Sequence, residues 1–540
     1  MLSCHNRHSP ADLIVYHGTI YTVDDDFHVV QAMAVKSGKI VAVGTDQQIL
    51  DAYDAPEKID LQGHVVYPGF IDAHAHFYNY ALSLLSVDLT GTRSWDEAVE
   101  RVKVFAAAHP QGWIVGRGWD QNQWPGQEFP DRTRLDELFP DRPVLLTRVD
   151  GHAAIANQAA LQLAGIKPGQ TIQGGLFMVR NGRLTGILID NAVEEVARMI
   201  PPLDRASKIK ALQEAEQRCF AVGLTTVADC GLPKQTIDFL DSLQKAGLLH
   251  MRIYAMAADE KENYAYYLKH GPYQTDYMHV CAFKLYADGA LGSRGACLLQ
   301  PYSDQPGWYG FLLKDRAYFD SIAHLLIHSP FQMCTHAIGD SANRVMLQIY
   351  ASVLTPGNDR RWRIEHAQVV HPDDINLFGK YAIVPSVQPT HATSDMYWAG
   401  ERLGRQRLRY AYAFRDLCQQ NGWIPLGTDF PVEDIDPRKT FYAAVSRQDS
   451  HGFPPGGFQP ENALSREQAL RGMTIWAARA QFEENQKGSL EPGKWADFVV
   501  MEKDLMHIPV KEILQDPVLA TYSAGTRVFP PKAASPPGQP

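Results

Sequence analysis

Three things are scarce in this 540-residue sequence. Cysteine is the first. Seven residues (Cys4, Cys219, Cys230, Cys281, Cys297, Cys334 and Cys418) are scattered, odd in number and without a Cys-x-x-Cys pair. That argues against a disulfide framework and predicts buried thiols. Long apolar runs are the second: none is long enough to span a bilayer, so no membrane span is expected. An excess of positive charge is the third. The net charge of −10 leaves no electrostatic case for nucleic acid or an anionic membrane. No signal peptide is written at the start, which points to the cytoplasm. The alternative is that Met-Leu-Ser-Cys is the remnant of a lipoprotein signal removed before Cys4, making the chain periplasmic or lipid-anchored. The stretch 530–540, rich in Pro, Ala, Ser and Gly, is expected to be disordered.

What is present suits a large folded protein. Hydrophobic residues make up 45% of the chain, enough for a sizeable core. Residues 65–76 read Val-Val-Tyr-Pro-Gly-Phe-Ile-Asp-Ala-His-Ala-His. An apolar run ends in His74 and His76. Side chains two apart on a strand share a face, so both imidazoles leave the strand end together and make half a metal site. A bare His-x-His is more often a pair of surface or core histidines, so the rest of the chain must decide.

The rest reads as strands alternating with helices, which predicts a parallel sheet. Strands are expected over 65–71, 225–230, 251–256, 280–286, 333–336, 362–366, 383–387 and 423–428. Helices are expected between them, over 205–222, 237–246 and 341–354. Eight strands with crossover helices make an α/β fold of the (β/α)8 TIM-barrel kind, over 65–486. Residues 12–22, a hairpin turning at Ser37-Gly38, and the stretch 487–501 are strand-like. The two ends (11–64 and 487–528) are read as one composite β-sandwich domain, two separate terminal modules being the alternative. An insertion over 112–202 follows the first barrel strand. It carries Gly116-Arg117-Gly118-Trp119-Asp120, Trp124-Pro125 and Asp150-Gly151-His152. Its position predicts that it walls or caps the C-terminal mouth of the barrel, where active sites sit.

Four more residues end strand-like runs: Lys284, His336, His366 and Asp429. With His74 and His76 they converge on that mouth. A set of His and carboxylate ligands suits Zn²⁺ or a similar divalent metal. The order His-x-His, Lys, His, His, Asp resembles the amidohydrolase superfamily of metal-dependent hydrolases. The phrases Phe-Lys-Leu-Tyr-Ala-Asp-Gly-Ala-Leu-Gly-Ser-Arg, His-Ala-Ile-Gly-Asp, Ile-Glu-His-Ala-Gln and Ser-Val-Gln-Pro-Thr-His resemble its family 3 branch, the YtcJ-like group that includes N-substituted formamide deformylases.

The resemblance implies roles. His74 and His76 would bind the more buried metal, and His336 and His366 the second. Asp429 would ligate the first metal and act as general base. Lys284 would carry a CO2-derived carbamate and bridge the two. An ammonium has no lone pair and cannot ligate a cation, whereas a carbamate offers two oxygens. The alternative keeps Lys284 as an ammonium, paired with a carboxylate such as Asp288 or reaching substrate, in a mononuclear site. The implied reaction is hydrolysis of a carbon–nitrogen bond, a linear N-acyl or N-formyl amide, by a metal-activated hydroxide. The same barrel could act on a lactone or cyclic amide or as a deaminase, and a non-catalytic binding or regulatory protein is the reading from another class.

Further residues are candidates for substrate contact. His152 would donate a hydrogen bond, and Arg294 would bind a substrate carboxylate. Gln388 and His391 would line the pocket, and Trp119 and Trp124 would offer an apolar wall. Glu365 precedes His366 on its strand and is expected to point away from the site. The expected partner is a small-molecule amide. The oligomeric state is left open, a homo-oligomer included.

Overall fold

The computed structural model describes residues 8–531. The expectations at Cys4 and over most of the 530–540 stretch therefore lie outside the described residues. Seven parallel strands form the central sheet in chain order: β1 (Phe70–Ala75), β2 (Leu224–Leu232), β3 (Arg252–Ala258), β4 (Met278–Tyr286), β5 (Gln332–Ala337), β6 (Arg363–His366) and β7 (Val384–Ser386). Their apolar residues, such as Val227, Ile253, Phe283 and Ile364, pack into one core with the crossover helices. These include Arg205–Ala221, Lys234–Lys245 and Asp340–Val353. Strands covered on both faces are near-continuous in apolar residues, which is why they could be found in the sequence.

The expected eighth strand over 423–428 is not a regular strand. The segment bridges the two edges of the sheet irregularly. Gly427 N donates to Val387 O (3.0 Å), Ala73 N to Leu426 O (3.1 Å) and Asp429 N to His74 O (2.7 Å). Pro425 has no N–H to offer a ladder. Gly427 also lies so near β1 that a Cβ there would sit 2.6 Å from His74 N. The result is a nearly closed barrel of seven strands and one bridging segment, an α/β fold.

A second difference concerns residues 65–71. Val65–Pro68 pairs antiparallel with Phe498–Met501 and parallel with Thr19–Tyr21, outside the barrel. The chain enters the barrel only at Phe70, after the Pro68-Gly69 break. Val65–Pro68 belongs to a six-stranded sheet that faces a four-stranded one built from Leu13–Tyr16, Ala32–Lys36, Lys39–Gly44 and Glu57–Asp60. Side chains of both sheets, among them Val15, Val35, Val66 and Phe498, share one core. The turn between Ala32–Lys36 and Lys39–Gly44 falls at Ser37-Gly38, both with positive φ (51° and 75°), the geometry of a two-residue hairpin.

The inserted sheet starts earlier than expected, at Val87–Asp88. It continues through Ile114–Trp119, Val144–Arg148, Ala153–Ala156, Arg183–Asp190 and Gly175–Arg180. It has a core of its own, in which Trp119 and Trp124 are buried.

Candidate active site

The ends of the barrel strands and the inserted sheet enclose a cleft of about 770 Å³. His74 and His76 come from the end of β1, and Lys284 from β4. His336 comes from β5, His366 from β6, and Asp429 from the bridging segment. His74 Nε2 lies 3.5 Å and His76 Nε2 3.2 Å from Asp429 Oδ1. Lys284 Nζ lies 3.2 Å from His74 Nε2. The rings of His74 and His336 sit 4.7 and 4.6 Å from that of His366. Ligand atoms of His74, His366 and Asp429 all fall within 4.8 Å of one another.

The hydrogen bonds around this cluster fix which ring nitrogens are free. His74 Nδ1 lies 2.5 Å from Glu365 Oε2 and His76 Nδ1 3.1 Å from Cys230 O. His366 Nδ1 lies 2.7 Å from Gln388 Oε1. Each Nδ1 faces an acceptor and so carries the proton, which leaves each Nε2 with its lone pair, that of His74 facing Lys284 Nζ as well as Asp429. Burial, with positive neighbours such as Lys284 adding to it, holds the imidazoles of His74, His336 and His366 well below their ordinary range. They are neutral, the form that ligates metal. Asp429 is buried and faces the rings of His74 and His76. Its Oδ1 is buried and has no hydrogen-bond partner. Lone pairs and a carboxylate oxygen that face one another with no proton between them fit a shared cation. The donor set therefore accommodates a divalent metal.

A family model described as the amidohydrolase family matches residues 57–529. The chain belongs to the amidohydrolase family. It is 34% identical to Protein LONG AFTER FAR-RED 3 of Arabidopsis thaliana, over 96% of this chain and 92% of that protein. Identity to the putative amidohydrolase YtcJ of Bacillus subtilis is 31%, over 91% of this chain and 94% of that one. Identity to the N-substituted formamide deformylase of Arthrobacter pascens is 26%, over 95% and 97%. Among solved structures, an uncharacterized metal-dependent hydrolase from Pyrococcus horikoshii OT3 superposes with a TM-score of 0.75. Its identity is 28%, over 92% of this chain and 99% of that one.

The remaining expected residues of this amidohydrolase divide into two groups. His152 and His391 line the cleft. The His152 ring lies 4.9 Å from that of His336, and its Nδ1 is 2.6 Å from the buried Asp190 Oδ1. His391 Nε2 is 3.8 Å from Asp429 Oδ2. Gln388 is buried behind His366 and orients it rather than lining the pocket. Arg294 is not at the cleft: it pairs with Asp304 (2.9 Å) on a loop after β4. Trp119 and Trp124 do not wall the cleft either. Both are packed in the core of the inserted sheet, where their indole N–H groups donate to Leu146 O and Thr92 O (2.7 Å each). Asp288 is not the partner of Lys284. It accepts from the backbone N–H groups of Cys297, Ile338 and Gly339 instead.

Glu365 is the residue the strand period misplaces. It points inward, bonds His74 and is itself held by Arg363 (Nε to Oε1, 2.6 Å). Strand alternation would place Glu365 and His366 on opposite faces. The alternation fails because His366 and Ala367 have positive φ (72° and 43°). Asp190, which orients His152, belongs to none of the motifs above; its signal in the sequence is an acid that ends the apolar run Ile187-Leu188-Ile189.

Proposed function

We propose that this amidohydrolase hydrolyses the carbon–nitrogen bond of a linear N-acyl or N-formyl amine, with Zn²⁺ as the first choice among divalent metals. The observation that carries this reading is the set of pinned imidazoles: His74 and His76 hold Nε2 at 3.5 and 3.2 Å from the unsatisfied Asp429 oxygen, and a ligand atom of His366 lies within 4.8 Å of ligand atoms of His74 and Asp429. His74, His76 and Asp429 would hold one metal, and His336 and His366 a second. Lys284, wholly buried beside His74, would bridge them as its carbamate. When bound, such metals polarise a carbonyl and acidify water near neutral pH.

The chain's own groups then handle the protons. Asp429 accepts one from the attacking water and returns it to the leaving nitrogen. His152, steadied by Asp190, donates a hydrogen bond to the substrate oxygen. Water adds to the carbonyl carbon, the C–N bond breaks, and a carboxylic or formic acid leaves with the free amine. The likeness to an N-substituted formamide deformylase along the whole chain supports an amide substrate.

The test is amine release from a panel of N-formyl and N-acyl amines by the zinc-loaded protein. The wild type releases amine from at least one class. Asp429→Asn lowers kcat by roughly 10²- to 10⁴-fold, the range for loss of a positioned acid–base group. Amine release from no member by a metal-replete wild type would overturn the substrate reading.

A further inference from the structure

Resting on that reading, the cleft carries one more piece of chemistry. Most charged groups along it are already paired. Arg148 binds Asp120 and Asp150, Lys439 binds Asp434 (2.6 Å), and Glu433 accepts from Ser394 Oγ (2.6 Å). Arg117 is the exception. It lies on the inserted strand Ile114–Trp119, and its side chain is partly buried in the cleft wall. Its Nη2 donates to Val149 O (2.8 Å), while its buried Nε has no partner. Among the described residues no carboxylate lies within ion-pair distance of it, because the nearby Asp150 is committed to Arg148.

The geometry ties this guanidinium to the reacting end of the cleft. A Cβ placed on Gly151 would sit 3.5 and 3.6 Å from Arg117 Nη1 and Nη2. The Asp150-Gly151-His152 turn therefore lies against the guanidinium, and the same turn delivers His152 to within 4.9 Å of the His336 ring. Gly151, with φ of 79°, allows the turn to pass that close. A guanidinium whose buried Nε has no acceptor is costly to leave unmet, and a planar fork suits a carboxylate. Burial depresses the Arg117 guanidinium, with Asp150 and Asp429 acting against it.

We propose that Arg117 is the anchor for a carboxylate on the substrate, so that the preferred substrates are N-acyl or N-formyl amino acids rather than neutral amides. The role expected of Arg294 thus passes to a residue on the inserted sheet. Arg117 is a binding and specificity residue in this account, with no part in proton transfer.

The test compares N-formylphenylalanine with N-formylphenethylamine, which differ by the carboxylate alone. Calorimetric binding and hydrolysis are both measured on the full zinc-loaded chain, for wild type, Arg117→Gln and Arg117→Lys. The wild type binds the acid more tightly than the neutral compound. In Arg117→Gln that preference falls by roughly ten- to a hundredfold, the effect appearing in KM rather than kcat, and Arg117→Lys restores part of it. Unfolding midpoints of the three proteins verify that the fold is kept. Equal weakening of both ligands, or a wild type that prefers the neutral compound, would overturn the proposal. A carboxylate preference that depends on Arg117 without any hydrolysis would uphold it while removing the amide-hydrolysis reading.

Discussion

A histidine is ready to ligate when one ring nitrogen is already committed. Here the commitment comes from three different sources: a carboxylate for His74, a backbone carbonyl for His76 and an amide oxygen for His366. The strongest is Glu365, because it is charged, wholly buried and braced by Arg363. Glu365→Gln keeps the shape but removes the charge that makes His74 a better donor. Removal of such an outer partner weakens metal binding by roughly 10- to 100-fold. Competition with a chelator of known affinity measures this directly. An unchanged metal affinity in Glu365→Gln would mean that the carboxylate only fills space.

At the scale of elements, strand ends were legible and departures from regularity were not. Apolar runs closed by His, Lys or Asp marked six residues, five on or just after barrel strands and Asp429 on the bridging segment, because buried parallel strands are near-continuous apolar runs. Three local facts stayed hidden. The break at Pro68-Gly69 hands Val65–Pro68 to the outer sheet, the positive φ at His366 turns its ring to the side that Glu365 already faces, and Pro425 with Gly427 replaces the eighth strand by a bridge. Each depends on backbone geometry set by neighbours far along the chain. The roles of Arg294 and the two tryptophans were likewise beyond sequence, since only packing decides whether a side chain faces a cleft or a core. The junction of β2 with the helix after β1 offers a test at this scale. Asp229 is buried and accepts from Tyr78 N (2.9 Å) at the start of the helix Phe77–Ser83. Burial pushes its carboxyl up to about 7. The folded chain therefore keeps this proton between about pH 4 and 7, where the unfolded chain has lost it. Its contribution is full below that window and lost as pH rises through about 7. Asp229→Asn should flatten the fall in stability between pH 5 and 8 by an amount on the order of a few kcal/mol. Denaturant midpoints at the two pH values read it, and an equal fall in both proteins would contradict it.

In the molecule as a whole, the barrel and the inserted sheet meet at one cleft. The barrel supplies the cluster of imidazoles, Lys284 and Asp429, while the inserted sheet supplies Arg117 and His152. The outer sheets are tied to the barrel through buried Arg252 on β3 and Asp497 (2.7 Å), away from the mouth. Among the described residues no helix is long and apolar enough to cross a membrane. In the reading proposed above, the barrel would hold the metal and the inserted sheet would bring His152 and Arg117 to the substrate.

Metal content per chain, measured on purified wild type and Lys284→Ala after growth with zinc, is the test of the proposed metal centre. Two equivalents are expected in the wild type, falling to one or none when Lys284 is removed. One equivalent in both proteins would contradict the bridging role of Lys284. A wild type that retains no metal, even when refolded with zinc and bicarbonate, would contradict the metal centre itself.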